Sequence, residues 1–240
     1  MNKIIYLMCC CLCTASIAAQ DAAKSISADK KISQIAFTET FEDGSLGEGT
    51  LSYHSLNDAT VLASYSLEKA STPNPFFVEY TYHIKTQEDG SHLIEMGSVL
   101  DPLSMRIDDN VEVDYNGDDI EFPTNLEVGT TLKDAKGEYM LKIRRARFGL
   151  IYNVSVTNRQ VIGQENIEIN GESYDTFIIT YDYKIEKSVS GNTINMRAEN
   201  IKEWYVPGIG AIAKTRIGRS RDKEQTNEIN NTLMTNSVSF

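Results

Sequence analysis

Phe177-Ile178-Ile179-Thr180-Tyr181-Asp182-Tyr183-Lys184-Ile185 has a period of two. Phe177, Ile179, Tyr181, Tyr183 and Ile185 share one face, and Thr180, Asp182 and Lys184 fall on the other. One apolar face and one wet face is the pattern of an antiparallel strand. The same period recurs along the chain. Phe76, Val78, Tyr80, Tyr82 and Ile84 alternate with Phe77, Glu79, Thr81, His83 and Lys85. Val61, Ala63, Tyr65 and Leu67 form another such face, as do Tyr139, Leu141 and Ile143. Turn chemistry divides the runs at Glu88-Asp89-Gly90, Asn116-Gly117-Asp118, Asn170-Gly171 and Ser190-Gly191-Asn192. The runs on either side of Gly191, residues 173–187 and 193–205, read as one long hairpin. A helical turn at Pro102–Ile107 is the single helical expectation, and no segment sustains a helical period.

The spacing predicts an all-β protein of about ten to twelve antiparallel strands. So many strands must curl into a barrel or half-barrel, or fold into a β-sandwich. No composition shift or proline-rich linker divides residues 34–240, which read as one domain.

Residues 1–20 have the form of a secretory signal: Lys3, an apolar run from Ile4 to Ile17, then Ala15, Ser16, Ala18 and Ala19. The run is too short to span a bilayer, which takes roughly 20 apolar residues. All 4 cysteines, Cys9, Cys10, Cys11 and Cys13, sit inside it. Cleavage leaves a cysteine-free chain of about 220 residues, with no disulfide, thiol nucleophile or thiolate metal site. A lipoprotein signal wants a small residue before its cysteine and a Leu-like residue three before it. Cys9 has Met8 and Tyr6 there, and Cys13 has Leu12 and Cys10, so a soluble periplasmic or secreted protein is expected. Residues 21–33 read as a flexible leader.

Formal charge is −11, and loss of Lys3 with the signal makes it −12. A net acidic chain has no electrostatic affinity for nucleic acid or an anionic membrane surface. Lys142, Arg144, Arg145 and Arg147 form the one basic run, and strand geometry splits it between two faces.

Two stretches carry a resemblance. One is Phe122-Pro123-Thr124-Asn125-Leu126-Glu127-Val128-Gly129-Thr130-Thr131-Leu132. The other opens with Asn158-Arg159-Gln160-Val161-Ile162-Gly163-Gln164-Glu165 and closes with Trp204-Tyr205-Val206-Pro207-Gly208-Ile209-Gly210. In order and spacing they resemble the TapB-like family of exported bacterial proteins, relatives of domain of unknown function 3108. The Gly-Thr-Phe-x-Cys element of relatives is replaced here by Gly171-Glu172-Ser173-Tyr174-Asp175-Thr176, without cysteine. The resemblance implies architecture and export, and no catalytic residue.

Physically, Pro123 suits a strand entrance. Gly129 and Gly163 read as turn or bulge positions, and Gly208 and Gly210 as a turn after Pro207. Trp204 reads as a core plug. Asn125, Asn158, Arg159 and Glu165 read as a polar network tying down one end of the barrel.

Three chemistries remain to weigh. Glu112-x-Asp114-x-Asn116-Gly117 echoes the start of a calcium loop, but its twelfth position is Pro123, so a solvated acidic turn is the better reading and no metal is expected. No Gly-x-Ser-x-Gly or Ser-x-x-Lys motif occurs, and His54, His83 and His92 lack zinc spacing, so catalysis and cofactors are not expected. Binding is left. Tyr80, Tyr82, Tyr181, Tyr183 and Trp204 are the candidate lining for a small apolar or lipid-like ligand, although a curled sheet also packs itself with such side chains. The alternative is an envelope protein acting through contacts, with the strand from Asn230 to Phe240 as the exposed edge.

Overall fold

The computed structural model describes residues 32–69, 76–99, 111–143, 149–189, 192–207, 210–222 and 225–239. Residues 1–31, the Pro102–Ile107 turn, Arg144, Arg145, Arg147, Gly191 and Gly208 lie outside these. The strands are β1 (Gln34–Thr40), β2 (Leu46–Ser55), β3 (Thr60–Lys69), β4 (Phe76–Thr86) and β5 (His92–Glu95). A four-residue helix, α1 (Met96–Val99), follows. Then come β6 (Val111–Gly117), β7 (Ile120–Phe122), β8 (Ala135–Ile143), β9 (Gly149–Ile169) and β10 (Glu172–Val189). The last are β11 (Asn192–Val206), β12 (Gly210–Asp222) and β13 (Gln225–Ser239).

All 13 strands form one antiparallel sheet, in the order β6-β8-β9-β10-β11-β12-β13-β1-β2-β3-β4-β5-β7. The protein is all-β and antiparallel as expected, and its one sheet is not closed. The strand number exceeds the expected range because β5 and β7, of 4 and 3 residues, are too short to display alternation. The expected hairpin is β10–β11, which runs in register from Phe177↔Tyr205 past one bulge to Val189↔Asn192. Ile32 is buried, and Ser33 donates its backbone N–H to Ser239 O at 2.9 Å, so the end of the expected leader belongs to the sheet.

The two edge strands, β6 and β7, are consecutive in the chain. Only Asp118 and Asp119 separate them, so their facing ends are at most about 11 Å apart. The sheet therefore curls until its edges nearly meet. Helix α1 and the β6–β7 connection bridge the seam. Met96 N–H donates to Asp119 Oδ1 at 2.9 Å, and Tyr139 Oη donates to Met96 O at 2.6 Å. Across the interior, Phe122 of β7 stacks on Tyr205 of β11 at 5.0 Å.

The inner face holds the core. Phe37 stacks on Tyr65 at 5.3 Å, Tyr65 on Tyr80 at 4.7 Å, and Tyr80 meets Tyr82 at 6.2 Å. Gly49 makes the Phe37 position possible: a Cβ there would lie 2.3 Å from the Phe37 ring. Thus a residue without a side chain opens the slot that the ring fills.

His92, on β5, is buried, with Nδ1 3.3 Å from Thr86 Oγ1. Burial pulls its pKa from 6.5 down to about 4, against a weaker pull upward from Asp89. The unfolded chain therefore takes up this proton at a higher pH than the folded one. Stability from His92 is whole above pH 6.5 and is lost as pH falls toward about 4, by up to about 1.4 kcal/mol per pH unit. Urea midpoints at pH 7 and pH 5, for the wild type and His92→Gln, check this. The wild type should lose more stability than the variant over that interval.

Candidate functional site

β9 changes phase in mid-strand. Leu150, Tyr152, Val154 and Val156 point inward on even positions, and Arg159 and Val161 point inward on odd ones. The cause is a bulge. Thr180 pairs with Gln160 and Asp182 with Thr157, so Asn158 and Arg159 together oppose Tyr181. Asn158 adopts φ 56, a left-handed conformation that asparagine tolerates better than most residues. The bulge thereby turns Arg159 into the interior, where it is 1% exposed.

Arg159 ends a belt of buried polar groups that crosses β9, β10, β11, β12, β13 and β1. Tyr181 Oη donates to Glu203 Oε2 at 3.1 Å, and Lys214 Nζ lies 3.0 Å from the same oxygen. Arg216 pairs with Glu39, which also accepts from Asn231 Nδ2 at 2.8 Å. Arg197 pairs with Glu199 on β11. Strand register explains the row: Glu203 faces Lys214, and Arg216 faces Asn231. Arg159 Nη1 donates to Lys133 O at 2.7 Å, and its guanidinium lies 4.9 Å from the centre of the Phe122 ring. Desolvation pulls its pKa down, against the nearby Glu203 carboxylate. Burial pushes the Tyr205 phenol well above its ordinary range. Arg159 Nη2, Lys214 Nζ, Glu203 Oε1 and Thr235 Oγ1 are buried and make no hydrogen bond among the described residues.

The sequence-stated candidates separate. Tyr80, Tyr82, Tyr181 and Tyr183 all face inward and are buried. Tyr181 joins the polar belt, whereas Tyr80 and Tyr82 belong to the aromatic stack. The expected network of Asn125, Asn158, Arg159 and Glu165 does not assemble. Asn158 Nδ2 donates to Asp182 Oδ2 at 2.6 Å on the outer face, and Arg159 lies inside. Glu165 is exposed and accepts from Trp204 Nε1 at 2.7 Å, and Asn125 is exposed in the loop after β7. Gly129 and Gly210 have φ 94 and 105, and Gly163 adjoins a second register shift, opposite Ile178. Glu112, Asp114 and Asn116 line the exposed face of β6, with Asp114 paired to Lys142.

Trp204 is not a core plug. Ile201, Glu203 and Tyr205 take the inner positions of β11, so Trp204 must face outward. It is half-buried there, with Lys202 Nζ 4.4 Å from its ring centre. Trp204→Ala is expected to cost about 2 kcal/mol, less than the roughly 3–5 kcal/mol of a fully buried tryptophan. Chemical denaturation measures this, and a loss at the upper end would return Trp204 to the core.

The exposed-edge expectation for the last strand is also overturned. β13 is flanked by β12 on one side and β1 on the other, so both its hydrogen-bonding edges are used. The edges of the sheet are β6 and β7.

Sequence reading missed Glu39, Arg197, Glu199, Glu203, Lys214 and Arg216. The signal was present in phase: Glu39 follows Ile35 and Phe37 at spacing two, and Lys214 follows Ile212. A charge in step with an apolar face is a buried charge.

A single curled, open antiparallel sheet with a charged belt across a largely apolar interior defines the class: an all-β, single-sheet protein. The chain belongs to the DUF3108-like family, whose model matches residues 50–222. No curated protein matches the chain. Its fold is similar to that of a Bacteroides fragilis protein described as exported, with a YmcC-like fold. The TM-score is 0.52 at 16% identity, over 95% of this chain and 100% of that one. It is also similar to a Parabacteroides distasonis protein designated a lipoprotein. There the TM-score is 0.55 at 15% identity, over 86% of this chain and 94% of that one. Among the described residues no helix is long and apolar enough to cross a membrane.

Proposed function

We propose that this is an exported, non-catalytic binding protein that holds a small apolar or lipid-like ligand inside its curled sheet. The observation that carries the reading is the set of buried polar atoms without hydrogen bonds: Arg159 Nη2, Lys214 Nζ, Glu203 Oε1 and Thr235 Oγ1. Buried polar groups nearly always have partners, and each exception calls for one. A guest molecule supplies them. Among the described residues β6 and β7 form no ladder with each other, so the sheet itself is not closed there.

Export is supported by the signal-like residues 1–20 and by the designations of the two structural relatives. The residues before Cys9 and Cys13 favour an unanchored periplasmic or secreted form. Within the DUF3108-like family, the TapB-like kinship rests on the Pro123–Leu132, Asn158–Glu165 and Trp204–Gly210 motifs. The non-catalytic reading is supported by the position of the histidines away from the belt. His54 is exposed on β2, His83 pairs with Glu95, and His92 bonds Thr86.

Native mass spectrometry of the protein recovered from its own periplasm or medium tests the reading, beside a denatured and refolded control. Extra mass lost on refolding supports a carried ligand, and a bare mass in both samples removes it. The second reading, an envelope protein working through contacts, is favoured by one observation: β6 is a seven-residue edge strand paired only with β8 among the described residues. Cross-linking in the native host through a photoreactive residue on β6 tests it, and recovery of monomer alone counts against it.

A further inference from the structure

We propose that the interior ligand bears a single negative charge of the carboxylate type, held by Arg159 on β9 with Lys214 on β12. The proposal deepens the ligand-binding reading and rests on it.

The argument starts from a charge count. The belt contains the buried cations Arg159, Arg197, Lys214 and Arg216 and the buried anions Glu39, Glu199 and Glu203. Arg197 pairs with Glu199, Lys214 with Glu203 and Arg216 with Glu39. Among the described residues Arg159 is left over without a salt bridge, so the belt counted over them carries one positive charge in excess; the carboxylates that act on Arg159 are Glu203, already engaged by Lys214, and the exposed Asp134. Arginine does not lose its proton in proteins. A buried charge without a counter-ion is strongly destabilising. An anion that completes the belt removes this cost.

The geometry says where that anion sits. Nη1 of Arg159 is taken by Lys133 O, and the face of the guanidinium is covered by the Phe122 ring. The open position is Nη2, which is buried and makes no hydrogen bond among the described residues. Lys214 Nζ also makes none, although it lies beside Glu203. Glu203 is the carboxylate that acts most strongly on Arg159, but its Oε2 is shared by Tyr181 and Lys214, and its Oε1 makes no hydrogen bond to Arg159 or to any other described residue. The bulge at Asn158 holds the chain in a left-handed conformation and keeps Arg159 aimed inward.

The excess is one charge, which selects the ligand class. A carboxylate matches it and fits the flat fork of a guanidinium. A phosphate monoester, at a charge of about −1.5 to −2 near neutral pH, overshoots it. Phe122, Val161, Ile179 and Tyr205 are the apolar residues buried on the same inner surface as Arg159.

The test uses mature protein stripped by denaturation and refolding, with hexadecanoate, hexadecan-1-ol and acetate as probes, read by calorimetry and native mass spectrometry. Hexadecanoate is expected to bind roughly 10- to 100-fold more tightly than the alcohol. Arg159→Met should lose a similar factor for the acid and little for the alcohol, and Arg159→Lys should recover part of it. Equal binding of acid and alcohol to the wild type overturns the charge assignment and leaves the ligand reading standing. Acetate binding as tightly as hexadecanoate keeps the anion site and overturns the lipid-like ligand. Failure of both long-chain probes, together with a bare mass for the native protein, overturns both readings. The acid-to-alcohol comparison needs no variant, so it decides the question even where Arg159→Met does not fold.

Discussion

Glu39→Ala is expected to destabilise the protein by about 3–5 kcal/mol. Glu39 is 1% exposed and accepts from Arg216 and Asn231, on the two strands that meet β1 from one side. Removing the carboxylate leaves the Arg216 guanidinium buried without its counter-ion. That orphaned charge causes most of the loss, more than the pair itself contributes. A second variant separates the two effects. Glu39→Leu combined with Arg216→Met removes both charges and should recover most of the stability. Urea unfolding of the three proteins reads the result as a shift of midpoint at constant slope. A single variant within about 1 kcal/mol of wild type would place the pair in water, contrary to its burial.

Tyr80→Ala should have an effect of the same order, about 3–5 kcal/mol, by a different route. Tyr80 is 0% exposed and lies between Tyr65 and Tyr82 in the aromatic stack. Truncation removes ring contacts on both sides, and the neighbouring rings cannot collapse to fill the space without leaving their rotamers. Phe77, three positions before Tyr80 on the outer side of β4, is 58% exposed and serves as the control. Phe77→Ala should fall within about 0.5 kcal/mol of wild type. Equal losses at both positions would show that the inner face of β4 has been misassigned.

Much of this fold is legible as alternation. Tyr80, Tyr82, Tyr181 and Tyr183 announce their inner face because each shares its phase with Ile, Val or Phe. Trp204 misleads for the same reason. It is the largest apolar residue in its segment, yet the register of β11 assigns the inner face to Glu203. Hydrophobicity alone ranks Trp204 above Glu203 for burial, and only the strand's phase reverses the order. Arg159 was hidden by the bulge. Counted in twos from Leu150, Arg159 falls on the outer face, and the residue that resets the count is an asparagine with no apolar signature. The belt as a whole was out of reach because it is transverse. Its members come from strands that are neighbours in the sheet and distant in the chain, as with Glu39 and Asn231, 192 residues apart.

That separation bears on the order in which the sheet can be completed. β1 and β13 are joined in the middle of the sheet, and β6 and β7 cross between the two halves at its rim. The early strands β1 to β5 therefore present an unfinished border until the last strand arrives. Most ladders join strands that follow one another in the chain, whereas the β1–β13 pairing spans almost its whole described length and is the last to become available during synthesis. The same layout leaves the waiting β1 border open to wrong partners, so the interval before β13 pairs with it is the time when this chain is most exposed to mispairing and aggregation.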